Sequence, residues 1–151
     1  MFTLVRRYIK TALAFFVAGL VTGFWLILER AFGPWGATHA LVSAHTHLLL
    51  YGFVIFLIMG VAYWMFPRPA KEDIRYSPKL AELNFWMAAI GTVIRTIGEF
   101  MEYFSLGGPG MYAVIAGSTL QLLAGLVFAW NIWSRIRPIG SQHREAKGER
   151  F

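Results

Sequence analysis

The stretch from His39 to Arg68, HALVSAHTHLLLYGFVIFLIMGVAYWMFPR, decides the reading of this chain: three of its four histidines open a long apolar run that closes on Pro67 and Arg68. A run this apolar predicts a helix that crosses a bilayer, and ionisable groups at membrane depth are rare enough to be functional candidates. His39, His45 and His47 are therefore the first candidate metal-ligating residues.

Composition supports a membrane protein. The 151 residues are 57% apolar and 17% aromatic, which is beyond an ordinary soluble domain and suits one integral membrane unit. The absence of cysteine removes disulfides, thiolate metal sites and cysteine nucleophiles. Any metal must then use histidine, methionine, carboxylate or backbone. The net charge of +6 is read as the cytoplasmic rim of a bilayer protein and not as a nucleic-acid surface. Arg6, Arg7 and Lys10 before an apolar run resemble the start of a secretory signal. The apolar length of roughly 18 residues and the bulky exit at Phe32, Pro34 and Trp35 argue for a retained transmembrane helix.

Four apolar stretches follow one another, at about 11–28, 39–66, 80–104 and 111–133, within a bundle domain of 1–139 that ends in a polar basic tail over 140–151. Each is long enough for a hydrocarbon core of about 30 Å at about 1.5 Å rise per residue. Continuous apolar runs without period-two alternation exclude a barrel. The expectation is an all-α, integral membrane four-helix bundle of up-down-up-down topology. Basic residues set its orientation: Arg6, Arg7 and Lys10 precede the first stretch, Arg68, Lys71, Arg75 and Lys79 lie between the second and third, and Arg135, Arg137, Arg144, Lys147 and Arg150 follow the fourth. The opposite loops carry only Arg30, so both termini are expected in the cytoplasm and the protein in the cell inner membrane. Gly19 to Gly23 is a GxxxG match, a pattern found at dimer seams, and Gly117 and Gly125 are further small residues for close helix approach.

Helical geometry separates the histidines. His45 and His47 lie about 9 and 12 Å inward from His39, and Glu102, Glu99 and Arg95 lie about 3, 8 and 14 Å inward from Phe104. Three histidines, two carboxylates and an arginine thus share the outer half of the membrane. At about 100° per residue His45 and His47 point about 200° apart, and His39 and His47 share a face but are about 12 Å apart. No undistorted helix brings two of them to one ion, so a compact three-histidine zinc or copper site is disfavoured.

The run AHTHLLLYGF, followed by Gly60 to Trp64 and by MFPR at Met65 to Arg68, resembles the second transmembrane helix of the haem-copper oxidase subunit I and nitric oxide reductase superfamily. It is also similar to short four-helix relatives of subunit I and to haem-containing membrane proteins linked to nitric oxide response. By position in the motif, the resemblance implies that His45 is an axial ligand of a low-spin haem b. The full-length proteins have twelve helices and carry their remaining haem and copper ligands on later ones, so reduction of oxygen or nitric oxide at a binuclear centre does not transfer. The second axial position stays open between a histidine of a dimer partner, a methionine such as Met101 or Met111, and a free site that binds a gas.

Each candidate also has a plain structural explanation. His39 sits where a solvated or capping histidine is common, His45 and His47 can be polar glue between helices, and His143 lies in the tail. Arg95 and Glu99 are spaced i, i+4 as an intrahelical ion pair, with a haem propionate as the alternative partner of Arg95. Tyr51, one turn from His47, is the aromatic best placed to touch a cofactor. The functional expectation is a membrane b-type haem protein for electron transfer or binding of a small gas, working as a homodimer, with a redox carrier or quinol as partner. The alternatives are a copper or other non-haem metal site or a proton-conducting bundle, and a metal-free assembly subunit of a respiratory complex.

Overall fold

The computed structural model describes residues 2–34, 38–66, 77–104, 108–136 and 147–148. Among the described residues four long helices form the fold: α1 (Phe2–Phe32), α2 (His39–Met65), α3 (Pro78–Tyr103) and α4 (Pro109–Trp133). Helix α1 begins well before the apolar stretch, so Arg6, Arg7 and Lys10 lie inside it and not ahead of it. Arginine and lysine are good helix formers, and nothing breaks the chain until Gly33 and Pro34. Helices α3 and α4 begin on Pro78 and Pro109, whose missing N–H groups have no helical partner at that position. Ser77, ahead of Pro78, is extended, the conformation favoured for a residue before proline.

Helix α2 is not uniform. His39–His47 and Phe56–Met65 are α-helical, but Leu48–Ile55 is π-helical. The wider i to i+5 turn begins directly after the two histidines and changes which faces the residues beyond them present.

Three helices are long and apolar enough to cross a membrane, over Thr3–Phe32, His39–Met65 and Pro109–Trp133. Helix α3 departs from the expected fourth span. It carries Lys79, Glu82, Arg95, Glu99 and Glu102, and buries Asn84, Thr92 and Glu99 among its neighbours. Its apolar content is lower because it carries both the exposed Lys79 and Glu82 and the Asn84, Thr92 and Glu99 side chains that its neighbours enclose.

The packing explains that enclosure. Between α1 and α2, Tyr8 meets Gly60, Phe15 meets Gly52, Gly19 meets Leu49 and Gly23 meets His45. Between α3 and α4, glycines let the backbones touch: a Cβ on Gly117 would lie 2.5 Å from the Arg95 nitrogen and 2.6 Å from the Gly91 carbonyl. Gly117→Val should therefore force the two helices apart and destabilise the fold by about 1–3 kcal/mol, read as a lowered melting temperature in detergent. Gly125, by contrast, has nothing within 4 Å of its would-be Cβ among the described residues and mediates no close approach there. An aromatic and aliphatic core of Tyr8, Phe56, Met59, Tyr63 and Phe85 fills the space where α1, α2 and α3 meet.

Candidate metal and polar site

Two polar clusters lie inside the apolar shell. The first surrounds Asn84 of α3, whose Nδ2 donates to Tyr8 Oη at 3.0 Å and to Tyr63 Oη at 3.3 Å. Asn131 of α4 joins it, donating to Tyr63 Oη at 3.4 Å and accepting from the Ser77 N–H at 2.8 Å. Arg135, buried, donates to the carbonyls of Tyr63 at 3.0 Å and Phe66 at 2.5 Å, which satisfies the last carbonyls of α2. Arginine beyond the end of α4 thus holds the end of α2, a role its place in a basic run does not reveal.

The second cluster centres on Glu99 of α3, 3% exposed. Its Oε1 accepts from Ser43 Oγ of α2 at 2.6 Å and from Arg95 Nε at 3.1 Å. Arg95 continues the chain by donating to Ser118 Oγ of α4 at 2.7 Å. The expected i, i+4 pair of Arg95 and Glu99 is thus present, and it is tied to two further helices through serines. Part of the Arg95 fork is already committed, which leaves less of it for an outside carboxylate. His47 lies at the edge of this cluster, with Nδ1 3.5 Å from Glu99 Oε1, 2.9 Å from the Ser43 carbonyl and 3.3 Å from Ser43 Oγ. Glu99 Oε2 is buried with no hydrogen-bond partner among the described residues.

His45 points elsewhere. Its Nδ1 is 2.9 Å from the Gly19 carbonyl of α1. A carbonyl oxygen can only accept, so Nδ1 carries a proton, and in the neutral ring Nε2 is then the nitrogen with the free lone pair. The same deduction holds for His47 against the Ser43 carbonyl, but that bond is within its own helix and its ring borders a carboxylate. The two imidazoles face different helices, as two residues' separation on a helix requires. His39, the exposed first residue of α2, follows Thr38, whose hydroxyl caps the helix by accepting from the Leu41 N–H at 3.3 Å. Tyr51, in the π-helical segment, turns to α4 and donates to the Gln121 carbonyl at 2.8 Å. His143 lies outside the described residues.

Among the described residues no group of three His, Cys, Asp or Glu side chains comes close enough to hold a metal ion. A single imidazole can serve a metal only where the metal brings its other ligands with it, as haem iron does. Ser43 and Ser118 are the site residues that pattern reading passes over. Each is a single small hydroxyl in an apolar helix. Sequence offers little to find them beyond their depth and, for Ser43, its place four residues before His47.

Among the described residues the class is thus an all-helical protein with three membrane-capable helices and buried polar clusters beside an apolar core. Residues 3–148 match the family described as "Cytochrome C and Quinol oxidase polypeptide I", and the chain belongs to that family. Among its relatives, a subunit of nitric oxide reductase from Stutzerimonas stutzeri is 30% identical over 106 residues, covering 67% of this chain and 22% of the relative. The Cbb3-type cytochrome c oxidase subunit CcoN1 of the same organism is 22% identical over 156 residues, covering 88% of this chain and 33% of the relative. Cytochrome c oxidase subunit 1 of Rhodobacter capsulatus is 28% identical over 115 residues, covering 61% and 22%. The chain therefore spans about a fifth to a third of the length of these relatives. No solved structure matches it.

Proposed function

We propose that this protein is an integral membrane b-type haem protein that transfers electrons or binds a small gas, with His45 as an axial ligand. The observation that carries this reading is the half-buried His45 ring, whose Nδ1 is bonded to the Gly19 carbonyl so that Nε2 is available to a metal. Membership of a family of cytochrome oxidase polypeptides supports it. Haem bound there would supply a one-electron centre whose potential follows from the second ligand, burial and nearby charge. Arg95 and Glu99, bonded to each other and to Ser118 and Ser43, and Tyr51, bonded to the Gln121 carbonyl, belong to the α2–α3–α4 side of the bundle and not to the α1 contact of His45.

The placement in the bilayer belongs to the same reading. The helices form an up-down-up-down bundle over 1–139, which agrees with the succession of contacts of Tyr8 on Gly60 and Gly23 on His45, and of Gly91 on Gly117 and Gly98 on Gly110. Both termini lie in the cytoplasm and the bundle in the inner membrane, because the basic residues gather at the termini and the loop between α2 and α3. A second ligand to such a haem would come from a histidine of a second copy or from a methionine such as Met101 or Met111, or the position would be left to a gas.

The optical spectrum of protein purified from haem-replete cells tests this. A Soret band and a sharp α band of haem b are expected, and a colourless, iron-free preparation would sink the proposal. Carbon monoxide added to the reduced protein separates an open position, which shifts the Soret band, from a six-coordinate carrier, which does not. A second reading, a proton-conducting bundle, draws on the polar groups along α3, from Asn84 through Thr92, which accepts from Gln121 at 3.2 Å, to Glu99. Proton flux into liposomes containing the haem-free protein is its test.

A further inference from the structure

The Gly19-x-x-x-Gly23 pattern of α1 reads as an association motif, yet both glycines are covered from within the chain. A Cβ on Gly23 would lie 2.5 Å from Cε1 and 2.7 Å from Nδ1 of His45, and one on Gly19 would lie 2.5 Å from Leu49 Cδ2 and 3.3 Å from Leu48 Cβ. No side chain other than hydrogen leaves the imidazole where it is.

The Gly19 carbonyl completes the arrangement. In an α-helix it accepts the N–H of Gly23, and its second lone pair is the one that takes His45 Nδ1–H at 2.9 Å. The hydrogen bond sets which nitrogen bears the proton, and the flat surface at Gly23 sets where the ring lies. Leu48 and Leu49, packed against Gly19, are the first residues of the π-helical segment, so the same contact fixes the backbone just beyond the ring.

We propose that the Gly19–Gly23 face of α1 is the positioning element for His45 as a metal ligand: it selects the Nδ1-protonated tautomer and aims Nε2. The proposal rests on the haem reading above for its metal, and on geometry alone for its tautomer. An Nδ1–H bonded to a carbonyl makes the imidazole a stronger donor, which favours the oxidised metal. Loss of that bond should therefore raise the midpoint potential.

The test compares wild type with Gly23→Ala, Gly23→Val and, as a control on an unpacked glycine, Gly125→Ala. Folding is checked first by circular dichroism and gel filtration, and Gly23→Ala serves if Gly23→Val does not fold. In the haem-loaded protein, Gly23→Ala should shift the midpoint potential positive and change the low-spin electron paramagnetic resonance signature. Gly23→Val should lose that signature, and Gly125→Ala should match wild type. In the haem-free protein, the ¹⁵N shifts of His45 should show the Nδ1-protonated form in wild type and a tautomer mixture in Gly23→Ala. Unchanged potential, signature and tautomer in folded Gly23 variants would overturn the positioning role while leaving the haem reading intact. A wild type that takes up no haem overturns the haem reading instead, and the ¹⁵N shifts still decide whether the glycine face holds the ring.

Discussion

His45→Ala should remove the low-spin haem b spectrum from the purified protein and reduce its haem content by more than about tenfold, because no other histidine among the described residues can replace it without moving a helix. His47 faces α3 and is bonded to the Ser43 carbonyl at 2.9 Å, and His39 is exposed at the first turn of α2. His47→Ala should keep the spectrum, since among the described residues its Nδ1 is held by Ser43 at the margin of the Glu99 cluster. The measurement is the ratio of Soret to protein absorbance together with the reduced-minus-oxidised α band. The reverse pattern, loss in His47→Ala and retention in His45→Ala, would move the ligand to the face of α2 that looks at Glu99.

The second large effect concerns Glu99. Glu99→Ala leaves the largely buried Arg95 guanidinium, among the described residues, with the Ser118 hydroxyl alone and strips Ser43 Oγ of its acceptor. Breaking a buried pair from one side destabilises by about 3–5 kcal/mol, because the remaining charge is desolvated without compensation. The pair itself is worth far less, so Arg95→Met combined with Glu99→Met should recover much of that loss. Thermal unfolding in detergent of the two single variants and the double variant forms the cycle. Equal melting temperatures for wild type and Glu99→Ala would show that water already reaches Arg95.

The separation of His45 from His47 and the pairing of Arg95 with Glu99 were legible in the sequence, since both follow from helical periodicity and spacing alone. So were the helical class and three of the membrane-capable stretches. The π-helical turn over Leu48–Ile55 was not legible, because LLLYGFVI carries the same apolar side chains on any helix type. Gly19 and Gly23 read only as a GxxxG match of the kind also found at dimer seams, because a glycine pair shows that something approaches closely without showing what. Arg135 read as one more cytoplasmic charge, because a side chain that caps another helix has no local signature.

The sequence by itself determined the helical class, the spacing of the histidines along their helix and the position of the basic residues, all of which depend on rise per residue and local hydropathy. Only the tertiary structure decided which helix each histidine meets, that Glu99 and Arg95 are joined to α2 and α4 through Ser43 and Ser118, and that the glycines of α1 receive His45. Those facts depend on how helices far apart in the chain are rotated against one another. That rotation is set by many small side-chain contacts at once and not by any one stretch, including the His39–Arg68 run.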